Sequence, residues 1–282
     1  MSVVYKSIDV QPIAGALGAE ITRVDISDLS DRQFEEIHNV FSENGVIFFR
    51  DQSLIPEQEL AFAKRWGKIN VNRFFTAVDG YPEIAMVLKE PEQKNNIGGD
   101  WHTDHTYDIQ PAMGSILYAH EVPRTGGDTV FASMYLAYDT LSDGMKETLE
   151  GLSAHHSSRH VFGAERANRD DDTVGRVKNS HHATQDAIHP VVITHPLSGR
   201  KALFVNPGFT LGFVGWTMDE SKPLLDYLYR HASRPEFTCR FRWKPGSLAL
   251  WDNRATWHRA LNDYQGQRRL MHRITIEGDT LN

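Results

Sequence analysis

The sequence predicts a mainly β protein decorated by helices, with a double-stranded β-helix (jelly roll) at its core. Three observations carry that expectation. Strong helical periodicity is confined to the first quarter and two later breaks, short strand-like runs divided by turn residues dominate from residue 81 onward, and no repeat or low-complexity linker interrupts the chain. Residues 30–44 read as the first helix, with Phe34, Ile37, Val40 and Phe41 as its apolar stripe and Gly45 as its stop. The run 46–49 is a buried strand. A second helix opens at Pro56, a favoured first-turn residue, and ends before Gly67; its Leu60, Phe62, Ala63 and Trp66 face the core. Strands are expected over 84–88, 115–122, 128–132, 191–194, 202–205, 237–243, 248–251 and 269–276. Helices fall near 133–152, with Ser142 as a cap, and 219–232, capped by Asp219. Residues 163–187 are polar and aperiodic and read as a long surface loop or lid on a single domain spanning 1–282.

Composition narrows the classes of function. With 282 residues, 40% hydrophobic and 24% charged, the chain has the profile of a globular protein with ample core. A formal charge of -7 argues against nucleic acid as a partner, since phosphate binding needs a basic face. The lone Cys239 excludes an intrachain disulfide and a cysteine zinc site; it reads as a buried filler. The opening residues lack a signal-peptide pattern and no run is long and apolar enough to span a bilayer, so a cytoplasmic location is expected.

The chemistry concentrates in two places. In His102-Thr103-Asp104 the first and third side chains of an extended segment share a face and can grip one ion. A distant His258 would complete a two-histidine, one-carboxylate set, which leaves three adjacent coordination positions open, as in non-heme Fe(II) oxygenases. On the last strand, Arg269, Met271 and Arg273 share one face, and two cations facing inward call for an anion such as a carboxylate. The pairs His155-His156 and His181-His182 are expected at the surface, because neighbours on a strand point apart. His105 should point away from the ion although it can line the mouth. His120 and His272 are assigned structural roles.

Taken with Gly18-Ala19-Glu20-Ile21, Gly126-Gly127-Asp128-Thr129, Trp251-Asp252-Asn253-Arg254 and Arg268-Arg269 through Arg273, these residues make the chain resemble the TauD/TfdA family of Fe(II)- and 2-oxoglutarate-dependent dioxygenases. The matching stretches occur in the family's order along nearly the whole chain. The resemblance implies that His102, Asp104 and His258 ligate iron, that Thr129 and Arg269 hold the distal carboxylate of 2-oxoglutarate, and that Arg273 faces either that co-substrate or an anionic substrate group. It implies hydroxylation of an unactivated C–H by O2 with release of succinate and CO2, in a homo-oligomer acting on a small molecule.

The stretches Gly126–Ser133, His160-Val161-Phe162-Gly163 and Glu220-Ser221-Lys222-Pro223-Leu224-Leu225 look more like the aryloxyalkanoate branch than the taurine branch. Asn72, Phe74, Phe75, Phe162, Phe209 and Arg273 are candidate pocket residues, with Phe213 a further aromatic, for a small organic acid with an aryloxyalkanoate-like or terpenoid-like body. An alkylsulfate or taurine-like sulfonate substrate is the alternative. A zinc hydrolase and a jelly-roll binding protein are more distant rivals, the first for want of a general base and the second for want of oxygen ligands.

Overall fold

The computed structural model describes residues 5–163, 172–173, 176–178 and 180–281. In chain order the elements are β1 (Asp9–Pro12), β2 (Ala19–Thr22), α1 (Asp31–Asn44), β3 (Val46–Phe49), α2 (Pro56–Trp66), β4 (Ile69–Asn70), β5 (Ala77–Val78), β6 (Tyr81–Lys89), β7 (Gly114–Glu121), β8 (Thr129–Ser133), α3 (Met134–Asp139) and α4 (Asp143–Glu150). There follow β9 (Ser153–Ser157), α5 (Arg159–Phe162), β10 (Asp186–Pro190), β11 (Val192–Thr194), β12 (Lys201–Leu203), β13 (Thr210–Phe213), α6 (Met218–Ala232), β14 (Thr238–Phe241), β15 (Leu248–Asp252), β16 (Thr256–Ala260) and β17 (Arg269–Ile276).

The large sheet runs β1-β2-β3-β15-β7-β17-β6-β5, with β4 added to β17. Its pairings are antiparallel except that of β2 with β3. A three-stranded sheet, β14-β8-β16, packs face to face upon it. Phe48 of the large sheet stacks on Phe241 with centroids 4.0 Å apart and meets Phe131 edge-on at 5.6 Å. Trp251 and Met271 complete this inner layer, so the two sheets form the jelly roll. Helices α1 and α2 cover the outer face of the large sheet through Ile37, Val40, Phe41, Leu60 and Phe62. Beyond the small sheet, α3 and α6 bury Tyr135, Leu225 and Leu228 against β11 and β12.

The long amphipathic helices fall where their periodicity put them. α1 is closed by a capping box between Ser30 and Gln33 and stopped by Gly45 at φ 70°. Three expectations change. The cap of α6 is Thr217, whose hydroxyl accepts from the Glu220 amide while Glu220 answers to the Thr217 amide; Asp219 lies in the first turn instead. Residues 186–187 belong to β10 and not to a loop, since that strand pairs with β9. Within the rest of 163–187, residues 164–171, 174, 175 and 179 lie outside the described residues, while Val177 and Ala183 pack into an aromatic cluster with Phe74, Tyr107, Phe162 and Phe209. His156 is buried in β9, against its expected surface position, while His155 points out and His181 and His182 are exposed.

Candidate active site

His102 and His258 come together through backbone pairing. The amide of each donates to the carbonyl of the other, at 3.1 and 2.9 Å, in a single antiparallel bridge that extends the small sheet by one residue. Residues directly opposed in such a bridge project side by side, which brings the two imidazole centroids to 4.1 Å. Thr103 locks the approach by donating to the Thr256 carbonyl at 3.0 Å. The chain then leaves the extended conformation and turns from Asp104 onward, so the i, i+2 relation holds across one bridge residue rather than along a strand.

Asp104 is buried, with Oδ1 3.6 Å from His102 Nε2 and Oδ2 3.6 Å from His258 Nε2. One donor atom from each of the three residues lies within 4.8 Å of the others. Donors about 2.1 Å from a shared ion sit roughly 3.0–3.4 Å apart, so closing on an ion requires a contraction of a few tenths of an ångström. The donor set fits a first-row divalent ion such as Fe(II). Burial, and then the neighbouring His102 ring, holds His258 well below the ordinary histidine value, which keeps it neutral as a ligand must be. Burial alone would raise the Asp104 carboxyl, but the adjacent Arg273 guanidinium outweighs it and keeps the group ionised.

The surrounding hydrogen bonds orient these three side chains. His102 Nδ1 sits 2.8 Å from the Asp100 carbonyl, which fixes the tautomer and leaves Nε2 for the ion. Ser115 on β7 donates to Asp104 Oδ2 at 2.8 Å, Asn253 donates to Ser115 at 3.1 Å, and Trp251 Nε1 donates to Asn253 at 3.0 Å. Arg273 Nη2 approaches Asp104 Oδ2 at 2.6 Å. The turn that delivers β16 and His258 is braced by Asp252, which takes Arg254 bidentately at 2.9 and 2.7 Å and His195 at 2.9 Å. Gly208 presses on the other side: a Cβ there would lie 2.7 Å from that of His102, so no larger residue fits without moving the imidazole.

The three side chains open onto a cavity of about 630 Å³, together with Thr129, Arg269 and Arg273. Arg269 is buried, yet its Nε and Nη2 have no hydrogen-bond partner among the described residues. An unpaired buried guanidinium is costly, and a carboxylate entering the cavity would satisfy its fork. Thr129 accepts from Trp243 Nε1 at 2.9 Å, which leaves its own O–H to donate to that carboxylate. Thr129 is delivered by Gly126 at φ 83° and Gly127 at φ 69°; a Cβ on Gly126 would lie 2.7 Å from the Asp263 carbonyl oxygen.

Among the expected pocket residues, Asn72, Phe75, Phe162 and Phe209 line the cavity. Asn72 also accepts from the amides of Phe74 and Phe75, both at 2.9 Å, and thereby shapes the turn beside it. Phe74 does not line the cavity: it stacks behind Phe162 at 4.4 Å, because a fully buried ring packs where aromatic neighbours are densest. Phe213 belongs to the helical core. His105 turns back at φ 59° and lines the cavity, with Nδ1 held 2.9 Å from Asp108 and its ring outside the three-residue donor group. The supports Ser115, Asn253, His195 and Gly208 were not singled out for the site in the sequence. Only Asn253 had a signal, by lying within the Trp251–Arg254 stretch.

A fold and cavity of this kind define a class of non-heme iron oxygenases, and comparison with known proteins gives the family. The model of the "Taurine catabolism dioxygenase TauD, TfdA family" matches residues 9–275. The chain is 34% identical over 278 residues to an alkylsulfatase of Acinetobacter baylyi, covering 97% of this chain and 86% of that one. It is 31% identical to an (S)-phenoxypropionate/alpha-ketoglutarate-dioxygenase of Sphingobium herbicidovorans, covering 97% and 96%. A crystal structure of a taurine dioxygenase from Burkholderia xenovorans superposes with a TM-score of 0.83 at 34% identity, covering 98% and 93%. The chain therefore belongs to the TauD/TfdA family. It is an oxidoreductase that uses Fe(II), 2-oxoglutarate and O2. No helix among the described residues is long and apolar enough to cross a membrane.

Proposed function

We propose that this dioxygenase, acting as one domain, hydroxylates an unactivated C–H of a small organic acid with an apolar body, with His102, Asp104 and His258 as the iron ligands and Thr129 and Arg269 as the anchor for the distal carboxylate of 2-oxoglutarate. The observation that carries the reading is the buried, unsatisfied guanidinium of Arg269 opening onto the same cavity as three converging ligand side chains. Iron held there supplies the activation of O2 by which 2-oxoglutarate, O2 and R–H become succinate, CO2 and R–OH, one oxygen atom going to each organic product.

The protein's part is positioning and exclusion of water. The Asp100 carbonyl and Ser115 hydroxyl hold two ligands in orientation, so little reorganisation is needed when the ion enters. Arg269 and Thr129 fix one end of the co-substrate, which sets the distance of its other end from the ligands. Phe75, Phe162 and Phe209 give the remaining volume an apolar wall suited to a ring or a branched hydrocarbon body. Arg273 is engaged by Asp104 through Nη2, while its Nε has no partner among the described residues and is available to an acid group in the cavity. A cytoplasmic homo-oligomer belongs to the same reading.

A second reading, an alkylsulfate or sulfonate substrate, is favoured by the 34% identity to the alkylsulfatase, and a guanidinium serves a sulfate as well as a carboxylate. A panel of phenoxy acids, terpenoid acids, alkyl sulfates and sulfonates, with Fe(II), 2-oxoglutarate and O2, separates the two by the succinate each substrate yields. Succinate coupled to an organic acid supports the first reading and coupling to a sulfate or sulfonate the second. An iron-loaded enzyme that gives no succinate above background with any class contradicts both.

A further inference from the structure

A second cluster of two histidines and a carboxylate lies on the opposite face of the large sheet. On β17, Arg269 and Arg273 line the cavity and Met271 packs between the sheets, so His272 projects to the other side, beneath α2. There its Nδ1 is 2.9 Å from Oε1 of Glu59, a helix residue that is only 2% exposed. The third member, His120, comes from β7 at an irregularity. The β17 partners step from Glu121, opposite Leu270, directly to Ala119, opposite Met271, so His120 is the extra residue of a bulge. Bulges re-aim side chains, and this one lays the His120 ring against His272 with centroids 3.8 Å apart.

Donor accounting leaves the cluster one partner short. His120 Nε2 is buried 3.4 Å from Glu59 Oε1 and makes no hydrogen bond among the described residues. One donor atom from each of the three residues lies within 4.8 Å of the others. The separations of 2.9 and 3.4 Å bracket the roughly 3.0–3.4 Å expected between donors about 2.1 Å from one ion. Burying a carboxylate is costly unless it is paired, and a divalent cation would engage both Glu59 and the unpartnered His120 Nε2. The His120 side chain is 30% exposed although its Nε2 is buried, so the cluster lies close beneath the surface.

We propose that Glu59, His120 and His272 form a second metal site, separate from the iron site, which takes a divalent cation of the zinc type and pins α2 to the large sheet. Two nitrogen donors select a d-block ion over Mg2+ or Ca2+. The proposal does not depend on the functional reading above, because none of these residues lines the substrate cavity.

Zinc stoichiometry tests it on the full chain at low micromolar free zinc with excess Mg2+. Wild type should bind two equivalents, His102→Ala one, His120→Gln one, and the double variant none. Retention of a full complement by His120→Gln would assign the extra zinc elsewhere, the exposed His181 and His182 pair being the obvious alternative, and would overturn the site. So would His102→Ala binding no zinc, a measurement that does not require the His120 variant to fold. His120→Gln should keep wild-type succinate formation, and adding it to His102→Ala should abolish the zinc-dependent rise in melting temperature expected of that single variant. An unchanged rise in the double variant would contradict the stapling of α2. Failure of the iron assignment would show differently, as His102→Ala binding the same zinc as wild type.

Discussion

Asp104, proposed as an iron ligand, is oriented by residues outside the three-residue donor group. Ser115 and Arg273 both hold its Oδ2, and the first is itself held by Asn253. Ser115→Ala should therefore weaken Fe(II) binding about 10- to 100-fold with the fold intact, measured by metal titration; unchanged affinity would show that the hydroxyl does not orient the carboxylate. Arg269→Ala should raise the KM for 2-oxoglutarate by at least about tenfold while Fe(II) affinity stays within about twofold, since one charge-assisted pair is worth ~1.5–3 kcal/mol. An unchanged KM removes the anchor role. The candidacy of His102, Asp104 and His258, whose donor atoms converge, was legible in the sequence because imidazole and carboxylate announce themselves. Ser115 was not: a strand serine is ordinary until β7 is known to run past Asp104. His195 stayed hidden for the same reason, its partner Asp252 lying 57 residues away.

At the scale of elements, the helices that carry an apolar stripe were readable because the stripe repeats over about two turns, as Phe34, Ile37, Val40 and Phe41 do in α1. Strands β9, β10 and β13 were not, since Ser153-Ala154-His155-His156-Ser157 offers polar residues where an alternating apolar pattern would be sought. Their burial comes from tertiary neighbours such as His189 and Phe204, which ring-pack on His156. The Thr217 cap was within reach, because its spacing to Glu220 is that of a capping box, but Asp219 offers a competing acceptor two residues on. Thr217→Ala should destabilise the protein by about 1 kcal/mol in urea denaturation, and Asp219→Ala by clearly less. Equal costs would return the cap to Asp219.

For the molecule as a whole, acid stability should depend on the buried ion-pair brace behind His258. Burial alone would raise Asp252, but Arg254 and His195 hold it well below the ordinary carboxylate range. A carboxyl whose folded value lies below its unfolded value of about 3.9 binds fewer protons when folded. Its contribution is thus complete above about pH 4 and is lost as the pH falls through that value toward the folded one. Wild type should lose urea stability more steeply than Asp252→Asn between about pH 5 and pH 3; equal slopes would exclude Asp252 as a source of the acid sensitivity. The jelly roll itself was legible from the density of short strands and turns. What the sequence could not supply was which strands adjoin, and adjacency is what places Arg269 and Arg273 over His102 and His258. A crystal structure of the protein soaked anaerobically with Mn(II) and 2-oxoglutarate tests this directly. It should show the ion bonded to His102, Asp104 and His258, with the distal carboxylate paired to Arg269; an ion elsewhere, or a co-substrate pointing away from Arg269, would contradict the account.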